Sequence, residues 1–341
     1  MKRPDRRGTL PRRPVKGVMR VEAEKLLEVS ALSVRYPGAD TLTLRDVELT
    51  LHAGQITCVI GESGCGKSTL FHSILQLPGR VEITEGNVRF CGDDLQTMSK
   101  QRLRELRGSG IGVVFQEPGA SLDPIRMIRR QFFEALHAHD AAVTRAQAEE
   151  KAEAILKTLE FPDPRRILNS CPAQLSGGMN QRVASALAMA QEPDVLLCDE
   201  PTSALDVTVQ AQIVGELLRL RDTFGTCILL ITHNMGVVAR MADRVAVMYG
   251  GRIVEYGPRD DVLYAPAHPY TKALMEAIPT LDGKPPKGIP GKRPDIFPEE
   301  GCAFAPRCQL ASAACETCGM VRRKTGDDHW TLCPKEVKGV E

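Results

Sequence analysis

Short apolar runs, each followed by a turn or a helical stretch, recur along this chain. Residues 26–60 alternate β-rich runs with turns and end in the apolar "TCVI" (57–60), which stops at Gly61. A glycine-rich "GESGCGKST" follows, then "LFHSILQL", whose spacing predicts a helix ending before Pro78-Gly79. Residues 125–168 carry Ala, Glu, Arg and Leu at helical spacing. Two more apolar runs, "VLLC" (195–198) and "CILLI" (227–231), lead into Asp199-Glu200-Pro201 and Thr232-His233. Strands answered by helices at this rhythm predict an α/β fold with a parallel sheet wrapped by helices. "RVAVMYGGRIVEYG" predicts a hairpin about Gly250-Gly251. Beyond Gly257 proline and glycine become frequent, with one short helix expected near 269–278, so a boundary is placed near residue 258. No internal repeat is evident.

Composition narrows the class. At 341 residues the chain is long enough for two domains. A formal net charge of +1 gives no general reason to expect nucleic acid as a partner. No segment approaches the roughly 18 to 20 apolar residues of a membrane span. Residues 1–22 are basic and lack an apolar core, so a disordered tail is expected rather than a secretory signal. Such a chain is expected in a reducing compartment. There, clustered cysteines more often bind metal or serve redox chemistry than pair as disulfides.

The chemistry starts at Gly61. "GESGCGKS" fits G-x-x-x-x-G-K-[ST], with an apolar strand before it and a helix after. Glycines let backbone N–H groups turn inward around clustered phosphate charge, and the helix start adds its dipole. The candidate ATP contacts are Gly61, Glu62, Ser63, Gly64, Cys65, Gly66, Lys67, Ser68 and Thr69. Lys67 would place a point charge on the β- and γ-phosphates, and Ser68 would offer a hydroxyl to Mg²⁺. Cys65 lies near the helix start, a setting that lowers a thiol's pKa, so alkylation blocked by ATP is expected. "VLLCDEP" ends a buried strand in two carboxylates at the sheet's carboxyl edge. Asp199 would orient Mg²⁺ through water, and Glu200 would polarise the attacking water.

These motifs occur in order with Tyr36, Gln116, "LSGGMNQR" (175–182), "SALD" (203–206) and "TH" (232–233), and together they resemble the ABC-type ATPases. The resemblance spans about residues 26–341. It implies a P-loop ABC ATPase domain over 23–258, with a mixed sheet core, an antiparallel β subdomain and a helical subdomain at about 117–190. A small irregular Cys-rich C-terminal domain, 259–341, would follow. The resemblance also implies that Tyr36 stacks on adenine and that Gln116 contacts Mg²⁺ and the water. His233 would contact the γ-phosphate, and Asp206 would communicate across a dimer. Ser176, Gly177 and Gly178 precede a helix expected to begin near Asn180. In the family they face the γ-phosphate held by the other subunit, so that two ATPs are sandwiched head to tail. Catalysis would rest on Glu200, His233, Lys67 and Gln116.

Three further stretches resemble the dipeptide, oligopeptide and nickel importer ATPases. They are "FQEPGASLDP" (115–124), "AHPYTKALMEAIP" (267–279) and "IPGKRPDIFPEEGCAFAPRC" (289–308), with Asp123 where that branch has Asn. The resemblance implies an ATP-hydrolysing subunit, peripheral on the cytoplasmic face of a bacterial inner membrane, that powers uptake of di- or oligopeptides. Implied partners are two membrane-spanning permease subunits, a second ATPase in a heterodimer and, indirectly, a solute-binding protein. Import of nickel, a metallophore or glutathione is the alternative within the branch; a soluble ABC ATPase without a transport role is the more distant one.

Five of the eleven cysteines fall at the end, at Cys302, Cys308, Cys315, Cys318 and Cys333. All but Cys318 sit where the branch's tail carries its cysteines. Four thiolates suit a [4Fe–4S] cluster or Zn²⁺. His329 could also serve zinc, and a metal-free tail is the third reading. Either metal would staple a segment expected to have little core of its own.

Overall fold

The computed structural model describes residues 24–116, 121–202, 206–279, 286–294, 297–298, 300–317 and 320–333. The predicted basic tail (1–22), residues 203–205 of "SALD" and Cys318 lie outside the described residues.

Twelve strands form two sheets among the described residues. β1 (Lys25–Arg35), β2 (Leu44–His52), β4 (Glu82–Phe90) and β5 (Asp93–Asp94) pair antiparallel in the order β2-β1-β4-β5. The second sheet begins with β3 (Ile56–Ile60), β6 (Ile111–Val114), β7 (Val195–Asp199) and β8 (Cys227–Ile231). It is completed by β9 (Arg244–Tyr249), β10 (Arg252–Pro258), β11 (Arg323–Lys324) and β12 (Trp330–Thr331), in the order β11-β12-β10-β9-β3-β8-β7-β6. Five of these, β9 to β6, are parallel; the outer three run antiparallel.

The residue patterns explain the division. β3 and β8 are buried at every position, as parallel strands covered on both faces must be, and they read as unbroken apolar runs. β2 alternates buried and more exposed positions along most of its length, as fits a sheet with one face on the core. Gly250 (φ 56°) and Gly251 (φ 78°) both adopt the left-handed backbone that a tight β9–β10 hairpin requires.

The helices are α1 (Lys67–Leu75), α2 (Lys100–Ser109), α3 (Ile128–His137), α4 (Arg145–Thr158) and α5 (Pro164–Leu168). After these come α6 (Gly177–Ala188), α7 (Val207–Phe224), α8 (Met235–Met241), α9 (Arg259–Tyr264), α10 (Pro269–Glu276) and α11 (Ala314–Thr317). The helical stretch expected over 125–168 is thus three helices. Thr144 starts α4 with a reciprocal capping box to Gln147, and Pro164 occupies the first turn of α5. Ile128, Phe132 and Leu136 recur every four residues and form the buried face of α3.

Arg182 ties this helical group to α7. Its guanidinium reaches the carboxylate of Glu216 and the carbonyl of Leu159, and it lies 4.1 Å from the centre of the Phe161 ring. Glu216 is 1% exposed, and burial pushes its carboxyl up to about 7 against the pull of Arg182.

The extension beyond residue 258 folds back on the core. Tyr249 from β9, Tyr270 from α10 and Phe304 pack ring on ring, with centroids 4.5 to 5.4 Å apart, and Phe297 adds a fourth ring 5.4 Å from Tyr249. Each such pair contributes about 0.5–1.5 kcal/mol beyond area burial. Fully buried Glu255 accepts the N–H groups of Ala267 and His268 and lies 2.7 Å from Nε2 of His329. The segment expected to have little core therefore borrows one from the eight-stranded sheet. No helix among the described residues is long and apolar enough to cross a membrane.

Candidate nucleotide site

Four parallel strands end side by side in the order β3, β8, β7, β6. Val59 pairs with Ile231, Ile231 with Asp199, and Cys198 with Val114. The residues that follow these ends are the glycine-rich loop, His233, Glu200 and Gln116, so the register alone lines them along one edge. Open α/β sheets bind ligands at this carboxyl edge.

The loop needs its glycines. Gly66 has φ 111°, and a Cβ there would meet Leu44 at 2.6 Å; one at Gly61, φ 152°, would strike the carbonyl of Met248. α1 begins directly afterwards, so its first amides face the loop. Lys67 is buried, and its ammonium donates to the carbonyls of Gly61 (2.8 Å) and Glu62 (3.1 Å). Ser68 is exposed. The Tyr36 ring is 45% exposed, with its hydroxyl 3.1 Å from that of Thr69.

Cys65 corrects the sequence reading. It is 3% exposed, and burial raises its pKa even though Lys67 pulls the other way. Loss of water outweighs the helix start. A maleimide is expected to modify exposed Cys91 well before Cys65, as read by mass spectrometry of the labelled peptides. Equal rates would contradict the burial.

Asp199 ends β7, and its carboxyl is pushed up to about 6, chiefly by burial and then by Glu200, with Lys67 opposing. Glu200 adopts φ 46°, a left-handed backbone that a residue with a side chain rarely takes. Its N–H donates to the carbonyl of Ile231 at 2.9 Å, and its Oε2 lies 3.2 Å from Nδ1 of His233. This pairing was not visible in the sequence. Gln116 is exposed just past β6.

Asp206 caps α7, accepting the N–H groups of Thr208 and Val209 at 3.0 Å each. Ser176 caps α6 by accepting from Met179. α6 therefore starts at Gly177 rather than near Asn180, because the serine takes the cap and the glycines form the first turn. Gly177 is exposed, and nothing within 4 Å would meet a Cβ there.

Residues 44–203 match the ABC transporter family, and residues 254–315 match the C-terminal region of the oligopeptide/dipeptide transporters. The chain is 40% identical over 317 residues to the dipeptide transport ATP-binding protein DppD of Bacillus subtilis (strain 168), covering 91% of this chain and 94% of that one. It belongs to the dipeptide/oligopeptide family of ABC ATP-binding subunits. This ABC subunit is also similar to the oligopeptide transport ATP-binding protein OppD of the same organism, 40% identical over 301 residues, with 85% of this chain and 83% of the relative covered. Among solved structures it resembles cbiO1 from Clostridium perfringens, part of the ABC transporter complex cbiONQ. The TM-score is 0.62 at 27% identity, over 70% of this chain and 90% of that one. It also resembles the dimeric ATP-binding cassette MJ0796 bound to ADP and Pi, with TM-score 0.60 at 27% identity, over 69% and 99%. As an ABC ATPase it binds ATP with Mg²⁺ and couples hydrolysis to transport.

In this ABC subunit the extension reaches the phosphate loop, which sequence reasoning missed. Arg307 holds the Glu62 carboxylate through both terminal nitrogens (2.7 and 3.2 Å), and the Glu62 N–H donates to the Tyr270 hydroxyl at 2.9 Å. Arg307 and Tyr270 stand in the "PRC" and "HPYT" motifs, but nothing local in the sequence tells where they point.

Cys302, Cys308, Cys315 and Cys333 line a single cavity, together with His268 and Phe304. Burial pushes the Cys302 thiol up to about 11, and the three other thiols add to it. Among the described residues no group of three or more His, Cys, Asp or Glu side chains is arranged to hold a metal ion. His329 is committed to Glu255 and does not line the cavity, which removes it as a zinc ligand beside these thiols.

Proposed function

We propose that this subunit turns ATP hydrolysis into uptake of di- or oligopeptides, working through partner membrane subunits at the cytoplasmic face of a bacterial inner membrane. One observation carries the reading: an ABC ATPase is joined, in one chain, to a region that matches the oligopeptide/dipeptide transporters. The binding surface for the coupling segments of two permeases is assigned to the neighbourhood of Gln116 and the helical group at about 117–190. A second, non-identical ATPase and, indirectly, a solute-binding protein complete the assembly. Domain limits of 23–258 and 259–341 are part of the same reading. Co-purification with the membrane subunits, and ATPase stimulation by peptide-loaded binding protein, are the expected results. An ATPase that ignores loaded binding protein in the full complex would overturn the transport role.

The roles follow the strand edge. Tyr36 offers an open ring face to adenine. The loop from Gly61 to Thr69 wraps the phosphates, and Lys67 exchanges its contacts with the Gly61 and Glu62 carbonyls for the β- and γ-phosphates. Exposed Ser68 and Gln116, with half-buried Asp199, fit a cation. Burial and the neighbouring Glu200 disfavour the Asp199 carboxylate unless positive charge arrives. Bound Mg²⁺ neutralises charge on the phosphates. Glu200 polarises the attacking water while His233 restrains its Oε2. Ser176, Gly177 and Gly178 present first-turn amides to the γ-phosphate of the facing subunit, and Asp206, fixed by its cap, communicates across that dimer.

The four thiols line one cavity and supply the donor set of a [4Fe–4S] cluster. A further observation supports an acceptor in their cavity. His268 accepts the Tyr270 N–H at Nδ1, so Nε2 carries the proton; that N–H is buried and without a partner in the structure. Leaving it unsatisfied costs about 1–3 kcal/mol, and a thiolate or sulfide would accept it. Bound there, the cluster would link four separated points of the extension. Protein purified without oxygen is expected to hold about four irons per chain, measured by elemental analysis. Zinc or no metal at all would overturn the cluster.

A further inference from the structure

The second position of the G-x-x-x-x-G-K-[ST] motif accepts any residue, yet here the Glu62 carboxylate is held by a side chain from outside the loop. Arg307, 7% exposed, grips its carboxylate from both terminal nitrogens, while its Nε–H donates to the Pro290 carbonyl at 2.8 Å and a terminal nitrogen lies 3.3 Å from the Tyr249 hydroxyl. The guanidinium is thus fixed on every side before it meets Glu62. One residue further along the loop the hold continues. Arg293 donates to the carbonyls of Ser63 and Gly64, the latter at 3.2 Å. Tyr270 takes the Glu62 N–H. Three consecutive loop residues, Glu62 to Gly64, are therefore fixed by side chains that all come from the extension.

The direction of these contacts matters. In a trans peptide the N–H and C=O point opposite ways. Arg293 on the Ser63 carbonyl therefore fixes that peptide plane and turns the Gly64 N–H away from the extension. A cation on the outer carbonyls also strengthens the inner amides as donors, because hydrogen bonds in series polarise one another.

We propose that Arg307, assisted by Arg293, is a positioning residue for ATP binding. The extension forms the outer wall of the phosphate loop and holds it in the form that receives nucleotide. Neither arginine needs to touch ATP. Without the wall the loop visits the receptive form for part of the time, and apparent affinity falls by that fraction while the chemical step, once ATP is bound, is unchanged.

The test is steady-state ATPase kinetics of the full chain. Arg307→Ala is expected to raise KM for ATP about tenfold with kcat kept within about twofold. Arg307→Lys should recover part of the loss, since a single ammonium restores the charge but not the two-pronged grip. Glu62→Gln should weaken affinity as well, and the Arg307→Ala/Glu62→Gln pair should be no worse than the poorer single variant. A properly folded Arg307→Ala protein with wild-type KM would overturn the proposal, as would a fall in kcat at constant KM. Should Arg307→Ala fail to fold, half-buried Glu62 and exposed Arg293 supply the decision. Wild-type KM in both Glu62→Gln and Arg293→Ala would likewise overturn it.

Discussion

Glu200→Gln is expected to cut ATP turnover by about a hundredfold to a thousandfold while leaving ATP binding intact. The amide fills the same space and can keep the contact 3.2 Å from His233. It can also keep the backbone at φ 46°, which is set by the turn after β7 and by the N–H bond to Ile231. What it lacks is a charge to draw a proton from water. Because binding survives and hydrolysis does not, ATP should accumulate in the closed state. Size-exclusion chromatography with light scattering of the variant together with its non-identical partner ATPase, in ATP and Mg²⁺, should then show a dimer that the wild-type pair forms only in passing. Undiminished turnover in Glu200→Gln would remove Glu200 from the chemistry and leave His233 as the group to examine.

Arg182→Ala is expected to destabilise the fold by about 3–5 kcal/mol, the usual cost of removing one partner from a buried ion pair. Glu216 would keep its place at 1% exposure with its main counter-charge gone, and the Leu159 carbonyl and Phe161 ring would lose their contacts with the guanidinium. The loss should depend on pH. The folded-state carboxyl of Glu216 stands near 7, above its ordinary 4.5. A raised group contributes stability fully below its unfolded value and loses it as pH climbs through the folded one. Removing Arg182 pushes Glu216 further up. Below about pH 7 the carboxyl is protonated in both folded proteins and the deficit should stay constant; it should widen only above about pH 7, where the wild-type carboxylate forms and the variant's does not. Chemical denaturation at several pH values measures this. Arg182→Met combined with Glu216→Leu should recover much of the loss, since an apolar pair leaves no buried charge; no recovery would point to the contacts with Leu159 and Phe161 instead.

Much of this site was legible because parallel strands are covered on both faces. "TCVI", "VLLC" and "CILLI" announce themselves as unbroken apolar runs, and the residues that follow them must share one edge. The sequence places the start of α6 near Asn180, three residues late, because glycines read as loop, whereas Ser176 supplies the cap for a helix that starts at Gly177. For Cys65 the motif gives helix geometry but not depth, and depth decides the direction of its pKa shift. The extension was the least legible part. Its aromatic residues are few, but Tyr270, Phe297 and Phe304 all converge on Tyr249. Such convergence has no local period to read.

The partners in the Glu62–Arg307 contact are 245 residues apart in sequence. A ribosome adding about 5–20 residues per second needs roughly ten to fifty seconds to cover that distance. For that interval the nascent chain exposes an ATPase motif whose carboxylate has no arginine and whose carbonyls have no outer support. Fragments released early would carry the signature of a nucleotide-binding protein without the wall that shapes its loop, so that a part translated later finishes a motif made earlier.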